Sequence, residues 1–164
     1  MRSIILIAHN LRSCHNVGSL LRTADGLGVD EVILSGYTPY PQTENDTRLP
    51  HEAAKLHRQI QKTALGAEKT QPWSHYDNVD EVLARLSDDG YCIAALEQTP
   101  DSQSLNTFEP PDKIALIVGR EVEGIEPEIL KAVDCAIEIP MFGEKESFNV
   151  VQAAAMALYH CRFM

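Results

Sequence analysis

The sequence predicts an α/β domain in which a mostly parallel β-sheet carries helices on both faces. Short apolar runs rich in β-branched residues alternate with longer stretches of helical periodicity. Apolar runs without an in-out alternation are typical of strands covered on both sides, and strands that alternate with helices favour parallel pairing. The 164 residues are an ordinary length for one domain, so we expect a single domain over residues 1–164.

Each predicted element follows from such a run. The predicted strands lie at residues 3–8, 31–34, 91–96, 113–118 and 135–139. The predicted helices lie at residues 17–27, 51–65, 79–88, 126–132 and 150–161. Two irregular stretches, 36–50 and 99–112, each contain several prolines. Loops of this length in a compact domain are often functional or mobile.

The last predicted helix, residues 150–161, is apolar on nearly every side. A surface helix normally keeps a polar stripe. We therefore expect this helix to be covered twice, by its own sheet and by a second copy of the chain. A central helix of a monomer is the alternative.

The net charge of −10 argues against tight non-specific binding to nucleic acid, which depends on neutralising phosphates. One segment differs from the rest. Residues 48–69 hold five basic and two acidic side chains, a net charge of +3. His51, Lys55, Arg58 and Lys62 share one face of the predicted helix. A solvated face is the ordinary interpretation, and a patch that contacts phosphates is the alternative.

The cysteines and histidines give no sign of a metal or disulfide framework. The cysteines at positions 14, 92, 135 and 161 form no C-x-x-C pair, so we expect reduced thiols. His51 and His57 are six residues apart, which places them on different faces of a helix, and we predict no metal. The sequence shows no signal peptide and no membrane span. We therefore expect a cytoplasmic protein.

Two late segments, 117–124 and 139–151, are predicted to form one site. Each is an apolar run that ends in a loop containing Gly, Pro or Ser. Neighbouring strand ends of this kind build pockets lined by backbone amides. Ser147 and Asn149 flank the start of the last helix, where a polar or anionic group gains roughly 0.3–1 kcal/mol. Simple capping explains Asn149 equally well.

The first predicted helix holds the other candidates. Asn16 is interpreted as its N-cap. Arg22 either extends to solvent or reaches over the strand ends, and its spacing alone favours solvent. Gly26 and Gly28 close the helix and precede a strand, whereas a dinucleotide fingerprint needs its glycines after a strand and before a helix. Gly28 is therefore predicted to be a C-cap.

Three ordered motifs resemble those of the SpoU (TrmH) family, which belongs to the SPOUT superfamily of RNA methyltransferases. The resemblance spans residues 4–159. The motif positions are Asn16-Val17-Gly18 with Arg22, then Gly119, Glu121 and Gly124, then Ile139-Pro140-Met141 with Ser147, Asn149 and Val150. Three positions depart from the family pattern: Arg120 replaces a common Asn, Phe148 a Leu, and Val151 a frequent Ser.

The resemblance implies properties that periodicity cannot supply. It implies a C-terminal trefoil knot, although threaded chains are rare. It also implies a homodimer with its site near the interface, and S-adenosylmethionine as cofactor. The whole chain would be one SPOUT catalytic domain, residues 1–164, with no appended RNA-binding domain.

The resemblance also assigns roles to residues. The implied catalytic residues are Arg22, Asn16, Ser147 and Asn149. The implied cofactor-binding residues are Leu96, Gly119, Glu121, Ile139, Met141 and Phe148. RNA contacts are expected from Arg12, Lys55, Arg58 and Lys62.

The predicted function is methyl transfer from S-adenosylmethionine to a ribose 2′-hydroxyl of tRNA or rRNA. An RNA base methyltransferase on the same scaffold is one alternative. A catalytically silent RNA-binding or assembly protein is another, and the acidic composition favours it. A flavodoxin-like nucleotide-binding module is more remote, because no phosphate loop follows the first strand.

Overall fold

The computed structural model describes residues 1–164, and a seven-stranded parallel sheet forms its centre. The sheet order is β3-β2-β1-β6-β4-β7-β5. The strands are β1 (Ser3–His9), β2 (Glu31–Ser35), β3 (Trp73–Tyr76), β4 (Cys92–Leu96), β5 (Gln103–Ser104), β6 (Lys113–Val118) and β7 (Cys135–Glu138). The helices are α1 (Cys14–Leu27), α2 (Pro50–Ala64), α3 (Ala67–Thr70), α4 (Val79–Asp88), α5 (Pro127–Ala132) and α6 (Val150–Phe163), with a 3-10 turn at Leu105–Thr107.

The predicted α/β class with a parallel sheet is confirmed, because every paired strand runs parallel and helices cover both faces. One buried cluster of 25 residues joins the sheet to α1, α2, α3 and α6. A second cluster of 13 residues joins the other face to α4 and α5. The carboxyl ends of all strands therefore meet at one edge of the sheet, where ligand sites of open α/β folds form.

All five predicted strands and all five predicted helices are present, and their ends differ from the prediction by at most three residues. Three elements, β3, β5 and α3, are not predicted from the sequence. Both strands lie at the edges of the sheet, and β5 contains two residues. Neither has the continuous apolar run that marks a strand buried on both faces.

Helix α1 begins earlier than predicted, so the interpretation of Asn16 as its N-cap was wrong. The Ser13 hydroxyl accepts the Asn16 backbone N–H at 3.1 Å and caps the helix. A serine three residues earlier supplies the same capping chemistry, which leaves the Asn16 side chain free for other contacts. The predicted C-cap is confirmed, because Gly28 has φ +64° in the left-handed region.

Helices α1 and α2 pack unusually closely at Gly18. A Cβ on Gly18 would lie 2.2 Å from Thr63 Oγ1 and 2.3 Å from the Ile60 carbonyl oxygen. The Thr63 hydroxyl donates to the His15 carbonyl at 2.8 Å. Direct contact of this kind fixes the register of α2 against α1.

Helix α6 buries one face and exposes the other. Ala154, Ala157, Leu158 and Cys161 are buried against the sheet and α1. Met156, Tyr159 and Phe163 are exposed, with Tyr159 59% exposed and Phe163 63%. Coverage by the sheet is thus confirmed, whereas coverage by a second copy stays a prediction.

The loop between β2 and α2 is held by Arg48. Its Nη2 lies 2.6 Å from Asp46 Oδ2, and its guanidinium lies 3.5 Å from the centre of the Tyr40 ring. Tyr40 stacks in turn on His75. Arg48 holds the pKa of Asp46 well below its usual range. Arg48 therefore braces a loop, and the basic character of the 48–69 segment comes from the other cations.

The four cysteines are all free, with Cys161 buried and the others half-buried. Burial raises the pKa of all four thiols, and it raises the pKa of Cys135 and Cys161 to about 11. No group of three or more residues is arranged to hold a metal ion. None of the helices combines the length and apolar character needed to cross a bilayer.

Candidate functional site

A pocket opens at the carboxyl ends of β4, β6 and β7. Its apolar wall comes from the strand ends and the start of α6, and its outer wall comes from the loops that follow β6 and β7. The six residues predicted to bind a cofactor all line it: Leu96, Gly119, Glu121, Ile139, Met141 and Phe148. Ser147 lines it as well. Three segments far apart in the sequence thus meet where the parallel strands end.

Two glycines allow the loop after β6 to fold back on itself. A Cβ on Gly119 would lie 2.7 Å from Ile125 Cγ1 and 2.9 Å from the Gly124 carbonyl carbon. Gly124 has φ +73°, and a Cβ there would lie 2.2 Å from Glu97 Oε2. A side chain at either position would push the loop away from the strand ends. Steric hindrance therefore explains why glycine is required at both motif positions.

Glu97 anchors that loop to the end of β4. Its Oε2 accepts the Ile125 backbone N–H at 3.0 Å, and its Oε1 accepts the Gln98 backbone N–H at 2.9 Å. Gln98 Nε2 donates to the Glu146 carbonyl at 3.2 Å, which connects β4 to the loop before α6. The three loops around the pocket are therefore hydrogen-bonded to one another.

Carboxylates give the pocket a negative lining. Glu97, Glu121 and Glu138 all line it, and Glu138 Oε2 accepts from the Ser102 hydroxyl at 2.8 Å. The one basic side chain in the lining, Arg120, donates to the Gly124 carbonyl at 3.0 Å and lies 3.7 Å from Glu126. A pocket with unbalanced carboxylates and an apolar wall favours a ligand with both a cationic and an apolar part.

Glu121 connects the pocket to helix α1. Its Oε1 accepts the backbone N–H groups of Arg12 and Ser13, each at 3.1 Å. Asn16 Nδ2 lies 3.5 Å from the same oxygen, and Asn149 Nδ2 lies 3.5 Å from Asn16 Oδ1. The carboxylate sits where the exposed amides at a helix start favour a negative charge. Glu121 therefore positions α1 as well as lining the pocket.

The predicted catalytic residues separate into two groups. Asn16 and Asn149 meet beside the pocket, and Asn149 also caps α6 by accepting from the Val151 backbone N–H at 2.9 Å. The capping interpretation of Asn149 is confirmed. Arg22 is exposed and opens onto a different pocket, between α1 and α2, which Lys62 also lines. Within one chain the structure does not bring Arg22 to the predicted cofactor residues.

The predicted RNA-contacting cations also divide. Lys55, Arg58 and Lys62 are exposed on α2 and form no ion pair. Arg12 lies beside the β6–α5 loop, where its Nη2 is 3.1 Å from Glu123 Oε1. The Glu123 carboxylate raises the pKa of the Arg12 guanidinium. Three of the four cations are thus free on one helix, and the fourth is neutralised elsewhere.

A buried polar cluster at the end of β1 was not anticipated. His9 Nδ1 lies 2.9 Å from the Ser35 hydroxyl, and its Nε2 lies 3.7 Å from Glu126. Burial lowers the pKa of His9, although Glu126 opposes that shift. Asn10, with φ +56°, donates to Glu126 at 2.8 Å and accepts from the Tyr37 backbone N–H at 3.0 Å. These residues hold the β1 and β2 loops beside the pocket.

Glu97, Gln98 and Glu138 are the site residues that sequence reasoning missed. Glu97 and Gln98 directly follow β4, and Glu138 ends β7. Polar residues at the carboxyl end of a parallel strand face the usual ligand edge. The available signal was that Glu97 and Gln98 directly follow the predicted strand 91–96 and that Glu138 lies in the end of the predicted strand 135–139.

Comparison with known proteins agrees with the geometry. The SpoU rRNA Methylase family model matches residues 3–159. A protein of Neisseria meningitidis serogroup B, described as 23S rRNA (guanosine-2′-O-)-methyltransferase RlmB, is 31% identical over 159 residues. The alignment covers 97% of this chain and 58% of that protein. A putative TrmH family tRNA/rRNA methyltransferase of Staphylococcus aureus is 30% identical over 157 residues, which cover 96% of this chain and 57% of the relative.

Solved structures share the fold. The AdoMet-bound rRNA methyltransferase from Sinorhizobium meliloti superimposes with a TM-score of 0.81 at 20% identity, covering 99% of this chain and 57% of that one. The chain thus spans somewhat more than half the length of the curated relatives it matches. With a family model matched over almost its whole length, the chain belongs to the SpoU rRNA methylase family.

Proposed function

We propose that this protein transfers a methyl group from S-adenosylmethionine to a ribose 2′-hydroxyl of tRNA or rRNA. The observation that carries the proposal is the single pocket in which all six expected cofactor residues meet at the carboxyl edge of the sheet. Family membership and the relatives' printed activities support the same chemistry.

The lining of the pocket fits this cofactor. Leu96, Ile139 and Phe148 offer an apolar wall for a flat base, and the nearby carboxylates suit a cationic group. Backbone groups at Leu96, Gly119, Ile139 and Phe148 would hold the molecule. S-adenosylmethionine supplies an electrophilic methyl group on a sulfonium centre.

Arg22 is the proposed partner of the reacting ribose. In the proposed transfer, the ribose oxygen would bond the methyl carbon while the carbon–sulfur bond breaks and leaves a neutral thioether, and the hydroxyl proton would pass to phosphate or water. A guanidinium stays protonated and is a poor base. We therefore assign Arg22 to stabilising the developing alkoxide and orienting the adjacent phosphate, with help from Asn16, Ser147 and Asn149.

A second copy of the chain would complete the site. Arg22 does not line the cofactor pocket of its own chain, and the exposed face of α6 carries Met156, Tyr159 and Phe163. We propose a homodimer that covers this apolar face and presents Arg22 to the partner's pocket. We also propose, from the family membership, that the C-terminal segment forms a trefoil knot.

The substrate would approach over α2. Lys55, Arg58 and Lys62 are unpaired cations in an acidic chain, and phosphate contacts dominate the affinity for RNA. The pocket itself has a negative lining, so the RNA phosphates would be attracted to α2 rather than into the cofactor pocket, and only the reacting ribose would approach the methyl group. This division supports an RNA enzyme whose two ligands bind to different surfaces.

The test is binding and transfer by the purified chain. Calorimetry is expected to show S-adenosylmethionine binding, and nucleoside analysis of treated tRNA and rRNA is expected to show a 2′-O-methyl ribose. A methylated base would instead identify a base methyltransferase. Absence of cofactor binding would support the silent RNA-binding alternative.

Substitution of Arg22 is expected to have the largest effect on activity. Arg22→Ala should abolish methylation while cofactor affinity stays within about twofold, because we assign Arg22 to the reacting ribose and its phosphate and because it does not line the cofactor pocket of its own chain. Arg22→Lys should rescue poorly, because the planar fork is lost. Turnover close to wild type in Arg22→Ala would exclude the role assigned to this residue.

A further inference from the structure

A pocket between α1 and α2 is lined by two basic side chains that come from different parts of the sequence. Arg22 and Lys62 both line it, together with the side chains of Ser19, Thr23 and Thr63. Of the two, Arg22 belongs to the first family motif, whereas Lys62 lies outside all three motifs. The pocket is separate from the cofactor pocket, and the two share no lining residue.

The spacing of these two cations is fixed by the Gly18 contact. Gly18 touches Thr63 and the backbone of Ile60, so α2 lies directly on α1 at this point. Arg22 follows Gly18 by about one helical turn, and Lys62 is the neighbour of Thr63. The hydrogen bond from Thr63 to the His15 carbonyl fixes the same register.

Neither cation is neutralised within the chain. Arg22 and Lys62 form no ion pair, whereas Arg12, Arg48, Arg85 and Arg120 each pair with a carboxylate. Asp25, in the last turns of α1, accepts instead from the Thr70 hydroxyl at 2.8 Å. Two unpaired cations beside hydroxyl groups in one pocket form a site for a doubly hydrogen-bonded oxyanion.

We propose that Arg22 and Lys62 together bind one phosphodiester of the substrate RNA, with Lys62 helping to position the ribose next to that phosphate. This inference rests on the proposed function. The guanidinium would form paired hydrogen bonds to the phosphate, and the ammonium would act as a point charge on the same group. A phosphate held next to Arg22 fixes the neighbouring ribose, so Lys62 sets the position of the 2′-hydroxyl.

The decisive experiment is a double-mutant cycle on RNA binding. The affinity for labelled unfractionated tRNA is measured over a series of KCl concentrations for the wild type, Arg22→Gln, Lys62→Gln and the double variant. If both side chains contact one phosphate, the salt slope of the double variant falls by about 0.7–0.9 and the two losses in affinity are not additive. Contacts to two separate phosphates would give additive losses and about twice that fall, which overturns the proposal.

Two controls separate charge from structure. Lys131→Gln removes an exposed, unpaired lysine on α5, on the opposite face of the sheet, and should leave the tRNA affinity unchanged. Lys62→Gln should raise the KM for tRNA. Lys62→Arg keeps a cation, so its KM should lie close to the wild-type value. Identical behaviour of Lys62→Gln and Lys131→Gln would overturn the proposal.

A second probe keeps this inference distinct from the proposed function. Inorganic phosphate is titrated while the NMR signal of Arg22 Nε–Hε is followed. A saturable shift that weakens in Lys62→Gln is expected, and no shift in the wild type would overturn the two-cation site. A saturable shift in a protein that never methylates RNA would count against the proposed function alone.

Discussion

The cofactor pocket and the α1–α2 surface use charge in opposite ways. Around the pocket, ionic groups are engaged in the structure: Glu97 holds a loop, Glu121 holds the start of α1, and Arg120 pairs with Glu126. On the α1–α2 surface, Arg22 and the cations of α2 are exposed and unpaired. Engaged charges build a rigid site, and unengaged ones remain available to a partner. The overall charge of −10 therefore conceals a basic surface.

Reversing the charge of the α2 cations is expected to break this division most strongly. Lys55→Glu, Arg58→Glu and Lys62→Glu together should weaken tRNA binding more than tenfold and reduce the salt slope by about two to three, because each phosphate contact contributes about 0.7–0.9. Affinity for S-adenosylmethionine should not change. Anisotropy with labelled tRNA and calorimetry with the cofactor measure the two effects.

The control reverses two cations outside that surface. Lys113→Glu and Lys131→Glu lower the net charge without touching α2. If this variant lost as much tRNA affinity as the triple reversal, only the total charge would matter and the patch would have no role.

Alanine substitutions at Gly18 and Gly124 should affect the two regions differently, both in the stability of the fold and in which ligand binds more weakly. Gly18→Ala places a Cβ 2.3 Å from a backbone oxygen, which cannot rotate away, so we expect unfolding free energy to fall by about 1–3 kcal/mol. Gly124→Ala instead displaces the Glu97 carboxylate and strains a residue at φ +73°. Urea denaturation measures the loss of stability in each variant. Calorimetry should show that Gly18→Ala mainly weakens tRNA binding, whereas Gly124→Ala mainly weakens cofactor binding.

Gly26→Ala provides the control within the same helix. A Cβ at Gly26 would meet nothing within 4 Å. Replacing a helical glycine by alanine then stabilises by up to about 1 kcal/mol. Equal destabilisation by Gly18→Ala and Gly26→Ala would mean that the close helix contact is not the cause.

The smallest expected effect is on stability at acidic pH. Burial lowers the pKa of His9 from 6.5, so the unfolded chain binds the proton more readily and stability falls as the pH drops through about 6.5. At pH 5.5, one unit below the pKa of His9 in the unfolded chain, this loss of stability is at most about 1.4 kcal/mol. The pKa of Glu126 is also lowered, and its contribution is lost only below about 4.5.

His9→Asn tests that assignment, because an amide can keep the contact with the Ser35 hydroxyl without titrating at these pH values. The melting temperature of the wild type should fall more than that of His9→Asn between pH 7.5 and pH 5.5. A parallel fall in both proteins would assign the acid sensitivity to other groups.

The two regions also differ in how far the sequence could predict them. The pocket could be anticipated, because apolar strands followed by Gly119, Pro140 and Ser147 mark the ligand edge of a parallel sheet. The exposure of α2 could be anticipated from its periodicity. The pairing of Arg48 with Asp46 and of Arg12 with Glu123 could not, because both depend on the path of loops.

Helix starts were the other limit. Ser13 and Asn16 are both good caps, and only the helical geometry decides between them. The side chain released from capping is the one that reaches Glu121 and Asn149. Local propensity could thus identify the residue but not its role.

The carboxylate of Glu121 has a consequence for how the two ligands influence each other. It belongs to the wall of one pocket and accepts the amides that begin the helix carrying Arg22. A ligand that displaces the Glu121 carboxylate would also displace the start of α1, because the two are hydrogen-bonded. We therefore expect occupancy of one site to alter the affinity of the other. Thermodynamic linkage makes such coupling reciprocal, so the proposed methyl donor and the RNA should change each other's affinity by the same factor.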